Sequence, residues 1–583
     1  MKKQLIYGFL GIAAVATLTG CDDLLNDNRY PQSIQTSNAE FWSNPSNVQS
    51  ECNYFYELFS GYGNGSGLGE FYAPGLNDNQ TSSNGGENLA NWKNINVPAS
   101  STNWSNPYIY IRRANLIIEG VEGSSLTEGE KANYLGIARM IRGWQYYGLV
   151  RAYGDVPLVE TALDPSNPED YAVLFEARTN RNTVMDYALA DLDYAVANIS
   201  AAKSKNAFSK DLAKAIKSEV CLYEGSYARY HAKDESRATK FFTEAAKVAG
   251  ELVDAYPIGD NYQALYNSFR GVLSANAEVI FMKEYEKDVF MHPTVDYTSS
   301  STPISGITKD AFDAYLFKDG KPLALTSEDT SDLPVVTYED SEPDKDGKVT
   351  RTYTLNIADV LAVRDGRLSQ TIDEYVYFTG TPYQRSNSMP MTSRTGYGVK
   401  KFVSPEMDYT YTTTVWNYTC APLYWGALVG LDFVEAKAEL GTLTDADLDK
   451  TINKMFARAD LPKATVASLS SMNDPANNMN VSSLLWEIRR CRRCELIYDK
   501  DLRYWDLVRW HQLELLDSEK HPNIYLGANV SGMPEDDRPA NVDGYINAKG
   551  KGSRVFSDRE YLFPIPSGQI GLNTNLTQNP GWN

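Results

Sequence analysis

Cys491-x-x-Cys494 has the spacing of a redox dithiol or of half a zinc site. No second C-x-x-C accompanies it, and His231, His292, His511 and His521 all stand elsewhere without ligand spacing. The pair lies in LLWEIRRCRRCELIYD, where Leu484, Ile488, Cys491 and Tyr498 recur on one helical face, so both thiols are expected in a core. Asp344-Lys345-Asp346-Gly347 begins like a calcium loop but lacks the remaining ligands and the closing Glu, so a solvated turn is expected and no cofactor is predicted. Paired carboxylates could hydrolyse a glycosidic bond. With 75 Asp and Glu some close pair is inevitable, and no nucleophile elbow, H-E-x-x-H, phosphate loop or triad-like spacing supports catalysis. No enzyme is expected.

The elements that carry such residues begin with the N-terminus. Lys2 and Lys3 precede an apolar run, Leu5 to Leu18, that is too short to span a bilayer comfortably, so residues 1–20 read as a signal peptide. Leu18-Thr19-Gly20-Cys21 resembles a bacterial lipobox, in which the Cys21 thiol is acylated and becomes the new N-terminus. One acyl chain anchors weakly, and the two or three that this motif implies anchor well. Loss of Lys2 and Lys3 takes the formal charge from −20 to −22, which repels phosphate backbones and argues against nucleic acid as a partner. The membrane is then met only through the lipid. Cys52, Cys221, Cys420, Cys491 and Cys494 remain, an odd set without the regular spacing of a disulfide framework.

Residues 61–107 hold too much Gly, Asn, Ser and Pro for a long regular element. Helix signals then run to about residue 255. Thr127 and Glu130 form a capping box, and Ile137, Ile141, Trp144 and Gly148 repeat at helical spacing. SKDLAKAIKSEVCLYEGSYARYH and SRATKFFTEAAKVAGELVDAY, joined by AKDE, resemble a tetratricopeptide hairpin. From about 256 to 420 the pattern breaks into short runs, with PVVTYEDSEPDKDGKVTRTYTL reading as two strands around an acidic loop. Helices return from about 421 to 515, where Leu428, Leu431, Val434 and Ala438 share a face, and 516–583 has no period. The expected fold is mainly α: a helical scaffold, roughly 108–255 and 421–515, carrying loop-rich parts at 60–107 and 256–420. Long loops on a rigid scaffold are where binding usually sits.

Several segments together resemble the SusD/RagB family of surface glycan-binding lipoproteins. They include Cys21, the Arg113–Ile117 segment, LVRAYGDVPLV, AEVIF, RDGRLSQTI, VEAKAELG and INKMFARA. ELIYDKDLRYWDLVRW is similar to the family's E-L-x-x-E-x-x-R-x-x-D-L-x-R-W, with Asp499 where Glu is usual. YLFPIPSGQIGLNTNLTQNPGW is similar to its terminal signature. The resemblance covers nearly the whole chain and implies a single domain over 21–583, with four tetratricopeptide-like hairpins and an irregular ligand-binding half containing short β-hairpins. It also implies carbohydrate as ligand and a SusC-like TonB-dependent transporter as partner, with Asp22 and Asp23 addressing the lipoprotein to the outer face of the outer membrane. Alternatives are a peptide-binding relative and a tetratricopeptide adaptor that binds only protein. Arg151, Asp155, Arg503, Asp506 and Arg509 are expected to hold helices in register.

A pyranose has apolar C–H faces and a hydroxyl rim, so it needs a flat ring beneath it and polar groups at its edge. The chain has 39 Tyr, 20 Phe and 10 Trp. Trp144, Trp486 and Trp505 fall on helices and are expected to be scaffold, whereas Trp92 and Trp104 fall in the Gly/Asn/Ser-rich stretch, with Asp78, Asn103 and Asn106 nearby. In the family an aromatic and an amide just before the "AN" helix commonly line the site, which carries over to Trp104 and Asn106, with Asp78 behind them. Tyr297 and Trp416 flank the weakly patterned middle and could supply the opposite wall.

Overall fold

The computed structural model describes residues 39–71, 77–82, 96–378, 381, 391–412, 414–548 and 553–582. Cys21 and Trp92 lie outside the described residues. The helices of eight residues or more among them are α1 (Pro45–Asn53), α2 (Thr102–Glu122), α3 (Glu128–Tyr153), α4 (Arg181–Asn198), α5 (Lys210–Tyr227), α6 (Glu235–Ala255), α7 (Gly426–Glu439), α8 (Ser483–Glu495) and α9 (Leu502–Arg509). The Thr127–Glu130 capping box opens α3 as expected, and the side chains of Asn180, Ser209, Asp234 and Ser482 cap α4, α5, α6 and α8. Each satisfies an N–H that the first turn leaves unpaired.

Successive helices pack in order, α2 on α3, α3 on α4, α4 on α5 and α5 on α6, and short links make α2/α3 and α5/α6 hairpins. Small residues set how closely they approach. A Cβ on Gly143 would stand 2.8 Å from the Ala188 carbonyl oxygen, and one on Gly225 would stand 2.8 Å from the Phe242 ring. Helix α7 then packs on α6, although residues 256–425 intervene, so the helical superhelix is split in sequence and closed in space. Leu428, Leu431 and Val434 are buried on α7 and Ala438 partly so, as their spacing predicts.

Among the described residues the longer strands of the intervening part are β1 (Val279–Lys283), β2 (Val335–Asp340), β3 (Arg351–Asn356), β4 (Ile372–Val376), β5 (Tyr397–Val399) and β6 (Ala421–Trp425). β2 to β5 form one sheet in chain order, and β2/β3 is the predicted hairpin around the acidic loop. β1 pairs antiparallel with β6, which leads straight into α7 and so ties the irregular half to the helices.

Ion pairs hold α7, α8 and α9 in register, as expected of Arg509 and Asp506. Both Arg509 Nη groups donate to Glu435 at 2.6 Å, and Arg492 donates to Asp432 and Asp506 at 2.8 Å. Such pairs remain only because each charge is met by opposite charge and fixed donors. One helical-face expectation fails. α8 ends at Glu495, and Tyr498, though buried, has φ of 69° and is not on the helix. The cause is Asp499, which accepts from Lys401 Nζ at 2.7 Å and from the Tyr266 hydroxyl at 2.7 Å while the Ile497 carbonyl also accepts from Lys401 at 2.6 Å, pulling the chain out of the helix. Cys491 and Cys494 are free core thiols, and burial pushes them up to about 11 and about 12. They have no thiolate character at neutral pH. The C-terminal segment is pinned to the end of α3: Asn579 donates to the Tyr153 and Phe563 carbonyls, and the Trp582 indole donates to those of Arg559 and Leu562.

Candidate functional site

Residues 61–69, GYGNGSGLG, fold into a tight loop because Gly61, Gly63 and Gly65 take φ of 56°, 93° and 55°, a region that costs other residues strain. Tyr62 fastens the loop inward, its ring fully buried and its hydroxyl donating to the Tyr266 carbonyl at 2.7 Å. Gly65 N–H donates to the Met291 carbonyl at 2.9 Å. One residue on, His292 and Asn417 exchange both backbone hydrogen bonds, at 2.8 and 3.0 Å, in an antiparallel bridge. His292 is sealed there: burial lowers it to about 3, so it is neutral, and it accepts at Nδ1 from Thr294 N–H and donates at Nε2 to the Thr419 carbonyl.

That bridge brings Tyr297 and Trp416 to neighbouring segments. Tyr297 rides on the short helix Thr294–Thr298, half-buried, and its hydroxyl donates to the Ser66 carbonyl at 3.2 Å. Trp416 directly precedes the bridge residue Asn417 and is 47% exposed. Two further half-buried rings flank it in the chain. Tyr418 stacks on Phe269 with centroids 5.0 Å apart, and Tyr411 meets Tyr418 edge-on at 5.5 Å. The rim is charged: Lys287 Nζ sits 4.5 Å over the Tyr411 ring, whose hydroxyl donates to the exposed Asp288 carboxylate at 3.4 Å. Exposed Asp408 is held below the usual carboxylate range by the backbone N–H and hydroxyl of Thr410, so it is an acceptor at neutral pH. Flat rings partly open to water, with a cation over one of them and carboxylates close by, can take up an apolar face that carries a polar rim.

The other expected site residues lie elsewhere. α2 begins at Thr102, so Trp104 and Asn106 are helical and not in a loop. Asn106 is exposed, but Trp104 is only 4% exposed, packed edge-on to Tyr153 at 5.0 Å and against Tyr108. Pro107 inside α2 costs about 3 kcal/mol. Burying an indole of about 150–250 Å² at ~25 cal/mol/Å² returns more than that, so the helix runs through the proline. Trp104 therefore offers no ring face to a ligand. Asp78 is buried, and Arg503 Nε and Nη2 hold its two oxygens at 2.7 and 2.6 Å. Burial alone would raise its carboxyl, but Arg493 and Arg503 outweigh that and hold it well below the usual range. No hydrogen bond or ring contact joins Trp104, Asn106 or Asp78 to Tyr297 or Trp416 among the described residues. Sequence reasoning missed Tyr411, Tyr418, Lys287 and Asp288. The available signal was DYTYTTTVWNY, four aromatics in eleven residues of which all but one of the others are polar.

Two family models match this chain: that of the SusD family over residues 277–582, and one described as "starch-binding associating with outer membrane" over residues 47–222. The chain belongs to the SusD family. A SusD-like protein of Formosa agariphila is 27% identical over 39% of this chain and 43% of its own length. A SusD-like protein of Bacteroides ovatus is 29% identical over 23% of this chain and 24% of its own. The chain thus matches less than half the length of these relatives. A solved SusD-like carbohydrate-binding protein of Bacteroides fragilis superposes with a TM-score of 0.67 at 22% identity, covering 92% of this chain and all of that one. A laminarin-binding SusD-like protein superposes at 0.56 with 19% identity, covering 92% of this chain and 100% of that one. At these identities the solved structures speak for the fold.

Proposed function

We propose that this protein is an outer-membrane lipoprotein that captures oligo- or polysaccharide at the cell surface and passes it to a SusC-like TonB-dependent transporter. The observation that carries the reading is the half-exposed Trp416 next to the Asn417–His292 bridge, with Tyr411 and Tyr418 on its own segment, Tyr297 five residues past His292, and Lys287 and Asp288 against Tyr411. Membership of the family and the carbohydrate ligands named for its solved relatives support the same ligand class. Acylated Cys21 is the proposed anchor, and no helix of the described residues is long and apolar enough to cross a membrane.

Magnitudes suit a carrier. Each aromatic contact contributes about 0.5–1.5 kcal/mol beyond burial and each hydrogen bond a net of about 1 kcal/mol. Four rings and a few hydrogen bonds give roughly 5–9 kcal/mol before the cost of immobilising the sugar, and that cost leaves a dissociation constant no tighter than about micromolar. Tighter binding would stall release. Affinity electrophoresis against neutral, host-derived and acidic polysaccharides, with peptide digests alongside, tests the reading. Wild type should be retarded by at least one polysaccharide, and Trp416→Ala should lose about tenfold or more in affinity with an unchanged circular dichroism spectrum. Binding of peptides and of no polysaccharide overturns it. Cys21→Ala should move the protein from the membrane fraction to the soluble one, and a mutant that stays membrane-bound removes the anchor.

A further inference from the structure

A cleft of about 260 Å³ opens between α8, the short helix Lys309–Ala314 and the segments around Ala476 and Asn523. Asp78 lies at its floor with Arg493 and Arg503. Arg503 uses Nε and Nη2 on Asp78, and Arg493 uses Nε on Asn79 at 2.7 Å and Nη2 on Asp310 at 2.7 Å. The Nη1 group of each has no hydrogen-bond acceptor among the described residues. Arg489 also lines the cleft, and its buried Nε has no hydrogen-bond partner either.

Facing these donors are two carboxylates one turn apart, Asp310 and Asp313, whose side chains are 32% and 22% exposed. The Trp486 ring forms part of the wall, held by its indole N–H on Asp474 at 3.0 Å. Leu323 and Ala476 stand exposed at the mouth.

Charge decides the class of ligand. Each of the four guanidiniums that line the cleft is already met by a carboxylate, Arg503 by Asp78, Arg493 by Asp310, Arg490 by Asp474 and Arg489 by Glu439. Asp310 is paired with Arg493 and Asp313 with Lys309 at 2.5 Å, so a phosphate or sulfate would find no cation here that a carboxylate does not already hold. A neutral ring with hydroxyls around its edge accepts from the spare Nη1 groups, donates to the two aspartates and lays an apolar face on the indole. The volume is below the roughly 300–1,000 Å³ of pockets for drug-sized ligands, which suits one ring and not a chain. We propose that this cleft is a second saccharide site, taking a single neutral pyranose unit apart from the Trp416 face.

The test uses full-length protein carrying Trp416→Ala, so that loss of the first face cannot be confused with loss of this one. It is titrated with glucose, galactose, mannose, xylose and N-acetylglucosamine, and separately with galacturonate, by saturation-transfer NMR, and inorganic sulfate, which carries no proton, is read by its displacement of the bound sugar. At least one neutral sugar should bind saturably with a dissociation constant of about 10 mM or below. Adding Ala476→Trp, which fills the mouth, should weaken that sugar by about tenfold or more. Adding Asp310→Asn, which keeps shape and removes charge, should weaken it by about tenfold or more, as expected for a lost charge-assisted hydrogen bond. If Ala476→Trp misfolds, Asp310→Asn alone decides. The proposal is overturned if none of the five sugars saturates, if the folded variants bind as the parent does, or if sulfate or galacturonate binds more tightly than every neutral sugar.

Discussion

Asp501 shows how much one side chain's surroundings decide. It takes φ of 56°, its Oδ1 is buried without a hydrogen-bond partner, and burial pushes its carboxyl up to about 7 despite the pull of Arg151. A carboxyl with a native pKa above its unfolded value of about 3.9 holds its proton more tightly when folded. Its contribution is therefore full below about pH 4, is lost as pH rises toward about 7, and stays lost above. Asparagine keeps the shape, tolerates left-handed backbone and carries no charge. Asp501→Asn should be about 1–2 kcal/mol more stable than wild type at pH 8 and equal to it at pH 4 in urea unfolding. A wild-type advantage at pH 8 contradicts this. The tryptophans teach the same lesson: Trp104 and Trp416 both stand in polar, aromatic-containing runs, yet one is sealed and the other open. Residue type alone carries no information on which neighbour covers it.

At the scale of elements, periodicity was legible wherever a long amphipathic face packs on one partner. The capping box of α3, the α5/α6 hairpin and the β2/β3 hairpin all stand where their patterns put them. Boundaries were not legible where local and tertiary preferences conflict. Pro107 and the polar run before it argue for loop, and the pocket made by Tyr153 and Tyr108 overrides them. Trp104→Ala should thus cost about 3–5 kcal/mol in chemical denaturation, as other large aromatic truncations do. Polysaccharide retardation should be unchanged, and a mutant that loses binding at full stability would return Trp104 to the site.

At the scale of the whole molecule, the Asp78–Arg503 pair fastens the loop-rich half to α9. Removing Arg503 leaves buried Asp78 with Arg493 alone, 3.3 Å away, and costs about 3 kcal/mol, the low end for a broken buried pair, whereas removing both partners costs less than the sum. Arg503→Ala should show that loss in urea unfolding, and Asp78→Leu with Arg503→Met should recover part of it. Equal destabilisation by the single and double mutants would mean that the pair joins nothing. The pair also explains why an acidic residue in a Gly/Asn-rich stretch reads as a ligand group: its partner lies more than four hundred positions later, beyond the reach of any local pattern.

By itself the sequence determined the helical scaffold, the interruption of that scaffold, the family and the chemistry on offer, because periodicity, caps and ordered motifs are local properties. Only the tertiary structure decided which aromatics face water. Exposure depends on what distant segments cover, and here a bridge from His292 to Asn417 opens Trp416 while Tyr153 closes Trp104.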